Sequence, residues 1–118
     1  MHRSLLLLLC LPLQTAFAAL EWETALHELR PGPEEKAATV SYPFKNTGSE
    51  TVTITGMQAS CGCTAAKAEP KVVPPGGQGA VKVCFTFGNR KGEQVKMVIV
   101  KTSDHLTQKL LLRVFLDR

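Results

Sequence analysis

Apolar and polar residues alternate one by one along much of this chain, and the alternation breaks wherever Gly, Pro or Asn gathers. Successive side chains of an extended strand point to opposite faces, so this period of two marks half-buried β-strands. "ATVSYPFKN" sets Val40, Tyr42 and Phe44 on one face and Thr39, Ser41 and Lys45 on the other. "TVTITGM" turns Val52 and Ile54 inward and its threonines outward. "AVKVCFTF" sets Val81, Val83, Phe85 and Phe87 against Lys82, Cys84 and Thr86. "KLLLRVFLD" sets Leu110, Leu112, Val114 and Leu116 against Leu111, Arg113 and Phe115. "QVKMVIVKT" is strand-like, but its buried face is not readable. "NTGSE", "GNRKGE" and "SDHLT" are turns between these runs, and "VVPPGGQG" is a Pro/Gly connector from which no regular element continues easily. No long segment has the 3.6-residue period of a helix, so the helical crossovers that join parallel strands are missing. Six or seven short strands at near-regular spacing predict an all-β chain folded as an antiparallel sandwich of about seven strands. "EWETALHELRPGPEEKA" is read two ways, as a first strand around Trp22 or as a short helical turn ending at Arg30, with "RPGPEE" a loop.

The first stretch differs in kind. His2 and Arg3 precede an apolar run from Leu5 to Leu13, which is too short to span a bilayer. Ala16-Phe17-Ala18 then offers a small–x–small cleavage site, so residues 1–18 read as a secretory signal peptide and 19–118 as one mature domain. Lipidation at Cys10 is disfavoured by Leu9, because lipoprotein peptidases need a small residue there. The protein is expected to be exported, to the periplasm or beyond, with no membrane span after cleavage. Of the 118 residues, 100 then remain, enough for one modest core. Of the 14 basic residues only Arg3 leaves, so the balance against 10 acidic ones is about +3. The lysines and arginines are scattered and no aromatic residues interleave with them, which argues against nucleic acid as a partner.

Five short motifs stand in register along the middle of the chain. They are Phe44-Lys45-Asn46-Thr47-Gly48, Ser60-Cys61-Gly62-Cys63-Thr64, Pro75-Gly76, Phe85-Thr86-Phe87 and Thr102-Ser103-Asp104. In this order they resemble a bacterial family of exported proteins, domain of unknown function 1573, over about residues 38 to 105. The resemblance implies an immunoglobulin-like sandwich, similar to Hydin-type and major-sperm-protein-type domains. It implies no established activity and gives no reason for Cys84. By analogy of fold it points to association with another envelope protein rather than to catalysis.

Asn46 and Gly48 are explained by the turn they form, since both tolerate the left-handed conformation and Asn also bonds nearby backbone groups. Pro75 and Gly76 mark a second turn. Cys61 and Cys63 are the one chemical candidate. In an extended strand their β-carbons lie about 6–7 Å apart, beyond the roughly 3.5–4.5 Å a disulfide needs. A bond between them therefore requires a tight turn at Gly62, in a backbone conformation that a side chain would strain. Read as structure, the loop is a corner between strands with one cysteine packed inward. Read as chemistry, the pair is a redox couple or holds copper as Cu(I), which accepts two sulfur ligands. Zinc would need four protein ligands, and although Cys84, His27 and His105 could add to the pair, no C-x-x-C or H-x-x-H spacing exists, so zinc is disfavoured. Cys84, on the face opposite Val83 and Phe85, is expected to point away from the core, and a bridge from it to Cys61 or Cys63 is the less favoured pairing. No histidine is tied by sequence to either thiol as a base, and the early acids Glu21, Glu23, Glu28, Glu34 and Glu35 read as a solvated face. No catalytic residue and no other cofactor is expected.

Overall fold

A computed structural model describes residues 19–118. The expected signal peptide and Cys10 lie outside the described residues. Nine strands form, in chain order β1 Leu20–Trp22, β2 Leu26–Leu29, β3 Ala37–Asn46, β4 Val52–Ala59, β5 Thr64–Glu69, β6 Val72–Val73, β7 Gln78–Thr86, β8 Gly92–Thr102 and β9 Thr107–Leu116. They make two sheets, ordered β1-β3-β7-β5 and β2-β9-β8-β4-β6.

The alternating runs become the long strands, and their inward faces are as read. Val40, Tyr42 and Phe44 meet Val81, Val83, Phe85 and Phe87 from the first sheet. Val52, Ile54, Val98, Val100, Leu110, Leu112, Val114 and Leu116 come from the second, and all of these side chains are buried. The face of β8 is thereby settled as that of Val98 and Val100. Tyr42 also reaches across the sandwich, because its hydroxyl on β3 donates to the Leu111 carbonyl on β9. Burial pushes the Tyr42 phenol up to about 12, so the group is held as a neutral donor.

The count rises from seven to nine through short strands at the sheet edges. The N-terminal stretch has the first strand around Trp22 as β1 and, in place of a helical turn, a second strand in the other sheet. β1 pairs antiparallel with β3. The chain then changes sheets while keeping its course, so β2 meets β9 parallel, an exception to the antiparallel expectation. His27 on β2 bonds the Ser41 carbonyl at 2.7 Å and stacks edge-on against Tyr42, ring centroids 4.8 Å apart. β6 is the other surprise. The Pro/Gly connector leaves room for Val72 and Val73 to pair with Thr53 and Val52 before Pro74 ends the ladder.

Phe85 is fully buried and packs edge-to-face on Phe87, centroids 5.3 Å apart. Phe85→Ala is expected to cost about 3–5 kcal/mol, a large share of what a domain of this size possesses. Lys82→Ala, one pleat away on the exposed face, should cost far less. Equal shifts of the two denaturation midpoints would show that the register of β7 is wrong.

Candidate functional site

The Ser60–Thr64 segment turns the chain from β4, in one sheet, to β5, in the other. Its backbone is tied at both ends. The Ser60 amide donates to Met97 O at 2.8 Å, and the Met97 amide donates to Ser60 Oγ at 3.0 Å. The Thr64 amide closes the turn onto Cys61 O at 3.1 Å, and the Thr86 amide donates to Cys63 O at 3.0 Å. The turn brings the two Cα atoms to 5.2 Å, and Cys61 and Cys63 are joined by a disulfide. That distance lies within the range such bonds use. The bond is therefore made by a tight turn, as expected.

The role expected of Gly62 is overturned. Its φ lies outside the left-handed region, and a Cβ built there meets nothing within 4 Å. A hydrogen-bonded turn with ordinary dihedrals accepts most side chains at its centre. The turn thus comes from the Cys61–Thr64 hydrogen bond and needs no glycine.

The two sulfurs have different surroundings. Cys63 packs against the hydrophobic core, and its Sγ lies 3.7 Å from Thr64 Oγ1. Cys61 Sγ faces two donors, the Cys63 amide at 3.1 Å and Arg90 Nη2 at 3.7 Å. Arg90 comes from the turn between β7 and β8. Its Nη1 donates to Phe87 O at 3.3 Å, and the guanidinium lies 5.8 Å from the Phe85 ring centroid. Lys96 Nζ, on β8, approaches the same ring to 5.2 Å. Sequence reasoning missed Arg90, which is 29 residues from Cys61 and reaches it only through the β5–β7 pairing.

Cys84 is a free, half-buried thiol on the outer face of the first sheet, opposite Thr39 and Ala65 in register. Among the described residues no three His, Cys, Asp or Glu side chains converge as a metal site. Copper binding by the Cys61–Cys63 pair would first require the disulfide to be opened.

The other motif residues are structural. Phe44 is buried and meets Trp22 edge-on, centroids 5.2 Å apart. Asn46 is fully buried, and every polar atom of its side chain is used. Nδ2 donates to Glu50 O at 2.8 Å and Val73 O at 2.9 Å, while Oδ1 accepts from the Gly48 amide at 2.9 Å. Gly48 has no left-handed φ, and a Cβ there would fit tightly, 3.1 Å from that of Ala19. Pro75 leads into Gly76, whose φ of 77° is left-handed and whose amide bonds Asn46 O at 2.8 Å. In the Thr102–Asp104 turn, the Asp104 carboxylate accepts from Thr102 Oγ1, from the Leu106 amide at 3.3 Å and from the Ala19 amide at 3.5 Å. Desolvation pushes its pKa up, but these hydrogen bonds outweigh it and hold the carboxyl below its ordinary value.

Gly79 is the glycine that matters most and that no sequence signal separates from its neighbours. A Cβ there would lie 2.6 Å from Glu69 O and 2.7 Å from Phe44 Cζ. Gly79→Ala should therefore lower the unfolding midpoint strongly, through overpacking on the order of 1–3 kcal/mol or more. Gly62→Ala, with open space around it, should leave the midpoint nearly unchanged. Thermal denaturation of the two variants side by side checks both expectations, and the reverse order would contradict this account of the loop.

The fold has many structural neighbours. A protein of unknown function from Porphyromonas gingivalis W83 superposes with a TM-score of 0.72 at 11% identity, over 86% of this chain and 50% of that one. The chain thus spans about half the length of that protein. A PapD-like (ASH) domain of human CEP192 matches with a TM-score of 0.62 at 13% identity, over 83% of this chain and 84% of the other. The periplasmic chaperone SfaE matches with a TM-score of 0.61 at 11% identity, over 84% of this chain and 57% of the other. At these identities the likeness is one of fold, an immunoglobulin-like sandwich of the PapD-like kind. No curated protein sequence is significantly similar. The family described as "Protein of unknown function (DUF1573)" matches residues 20–115, nearly the whole described domain. The chain belongs to the DUF1573 family.

Proposed function

We propose that this is an exported domain that associates with another envelope protein by lending it a sheet edge. The observation that carries the reading is the open side of the sandwich, where β5 has a single neighbour, β7. On the other sheet β6 covers only Val52 and Thr53, so the rest of β4 has β8 on one side alone. Unpaired backbone amides and carbonyls along such edges are templates for an added strand. Proteins that avoid this crowd the edge with charge, proline or a bulge. Here β5 reads Thr-Ala-Ala-Lys-Ala-Glu, three alanines with one charge of each sign, and β4 carries one register shift, between Ile54 and Gly56, so most of both edges stays unobstructed. Between the two edges lies a groove of about 180 Å³ lined by Ile54, Thr55, Gly56, Met57, Ala66 and Lys71. Its lining is mixed, with Thr55 and Lys71 beside Ile54, Met57 and Ala66. The PapD-like likeness supports the same reading, since a periplasmic chaperone carries this fold. Among the described residues no helix is long and apolar enough to cross a membrane.

Export would remove the leader after Ala18. In the described domain the Ala19 nitrogen already faces the Asp104 carboxylate at 3.5 Å. Cleavage there would convert that amide to an ammonium beside a ready counter-charge.

Two measurements check this. The exported protein should have the intact mass of a chain beginning at Ala19, and a mass that retains Leu5 to Leu13 or carries a lipid on Cys10 would contradict processing at this site. A photo-cross-linking residue at Ala66, on the free edge, should give one discrete adduct in the intact envelope. The same residue at Arg113, where β9 is paired on both sides by β2 and β8, should give none. Equal labelling at both positions, or at neither, would defeat association through the edge.

A further inference from the structure

The Cys61–Cys63 bond has little to do as a staple. A cross-link stabilises chiefly by restricting the unfolded chain, and its effect grows with the length of loop it closes. This one closes a sequence separation of 2. The turn it spans is also held independently, by the four hydrogen bonds that join Ser60, Cys61, Cys63 and Thr64 to one another, to Met97 and to Thr86. Opening the bond would leave those contacts in place. A disulfide that contributes little to folding and can open without moving its loop is suited to chemistry.

The surroundings give that chemistry a direction. Cys61 Sγ is the sulfur with the guanidinium of Arg90 and a backbone amide turned toward it, and both favour a negative charge on it. The charged groups around the loop are Arg90, from the β7–β8 turn, and Lys96, from β8, which share the face and rim of Phe85. Neither has a carboxylate partner. The ion pairs among the described residues are those of Arg113 with Glu28 and with Glu93, and Glu93 is the one acid on β8. Cys63 has no cation and packs inward.

We propose that Cys61 and Cys63 form a working dithiol–disulfide couple, in which Cys61 exchanges with a disulfide of a partner protein and Arg90 is the positioning residue that holds Cys61 as its thiolate. The proposal is independent of the edge-association reading. From the reduced loop, the Cys61 thiolate attacks one sulfur of the partner's disulfide. A Cys61–partner bond forms, the partner's S–S bond breaks, and the departing thiolate takes a proton from water. Cys63 then loses its proton to solvent and attacks Cys61 Sγ. The loop disulfide closes, and the second partner sulfur leaves as a thiolate. Two electrons pass from the loop to the partner, which ends as a dithiol. A partner dithiol drives the same steps backward.

The test uses the mature protein with Cys84→Ser, so that the pair supplies the only thiols. In mixtures of reduced and oxidised glutathione the folded protein should move reversibly between dithiol and disulfide. Iodoacetamide labelling of the reduced form, read by peptide mass, should modify Cys61 faster than Cys63. The half-maximal pH for Cys61 should fall about one unit or more below the roughly 8.5 of an ordinary thiol. Arg90→Gln should raise that midpoint and slow labelling at mildly acidic pH several-fold, whereas Arg90→Lys should keep most of the effect. Because Arg90 also bonds the Phe87 carbonyl, a merely structural loss would affect Lys and Gln variants alike and would not move a pH midpoint. If Arg90→Gln does not fold, the unsubstituted arginine protein decides through the labelling asymmetry and the glutathione equilibrium. A bond that glutathione cannot open in the folded state overturns the proposal. So does a Cys61 midpoint at the ordinary value, or one that Arg90→Gln leaves where it was.

Discussion

The sandwich depends on one buried amide. Asn46 ends β3 in the first sheet, yet its side chain binds Val73 O on β6 of the second sheet and Glu50 O ahead of β4. Its backbone is engaged as well, with its amide on Gly77 O and its carbonyl receiving the Gly76 amide, each at 2.8 Å. A buried polar group without partners is costly, and a side chain with all of them rigidifies what surrounds it. Here one residue ties both sheets and the Pro74–Gly77 turn together. The register of β7 against β3 starts from that point, and it places Val81, Val83 and Phe85 inward opposite Tyr42, Val40 and Ala38.

The same register builds the cysteine site. β7 pairs with β5 as well as with β3, so Phe85 stands beside Thr64, the residue that follows the disulfide. The turn after β7 then returns Arg90 to Cys61. A core phenylalanine thus has two cations on its ring and a disulfide at its flank. The site sits on a hydrogen-bonded corner rather than a loose loop, which holds the disulfide, the guanidinium and the amide together.

What was legible followed from periodicity. The inward faces of β3, β4, β7 and β9 are readable because a strand half-buried in a two-layer fold must alternate. β8 was not, because Met97 to Val100 is apolar on both faces and only its neighbours decide which face is covered. β1 was one of two readings of its segment; β5 was missed because the Ala-rich run Thr64–Glu69 has no clear alternation, and β2 and β6 for a related reason. Segments of two to four residues carry no period, and their extended state is bought by pairing at an edge rather than by their own composition. Turn chemistry was readable at Gly76, where a left-handed φ requires glycine, and misleading at Gly62, where nothing does.

By itself the sequence determined the all-β class, the alternating core, the membership of the DUF1573 family and the presence of two cysteines close enough to pair. The class, the core and the pair rest on local chemistry, namely side-chain hydrophobicity, turn residues and spacing, and the family on its five motifs in register and its matching family model. Only the tertiary structure decided that β2 runs parallel to β9, that Gly79 rather than Gly62 is sterically indispensable, and that Arg90 belongs with Cys61. Each of those depends on residues far apart in the chain being brought within a few ångströms. Proximity of that kind is set by how two sheets stack and by which edges stay open, and no short window of sequence records it.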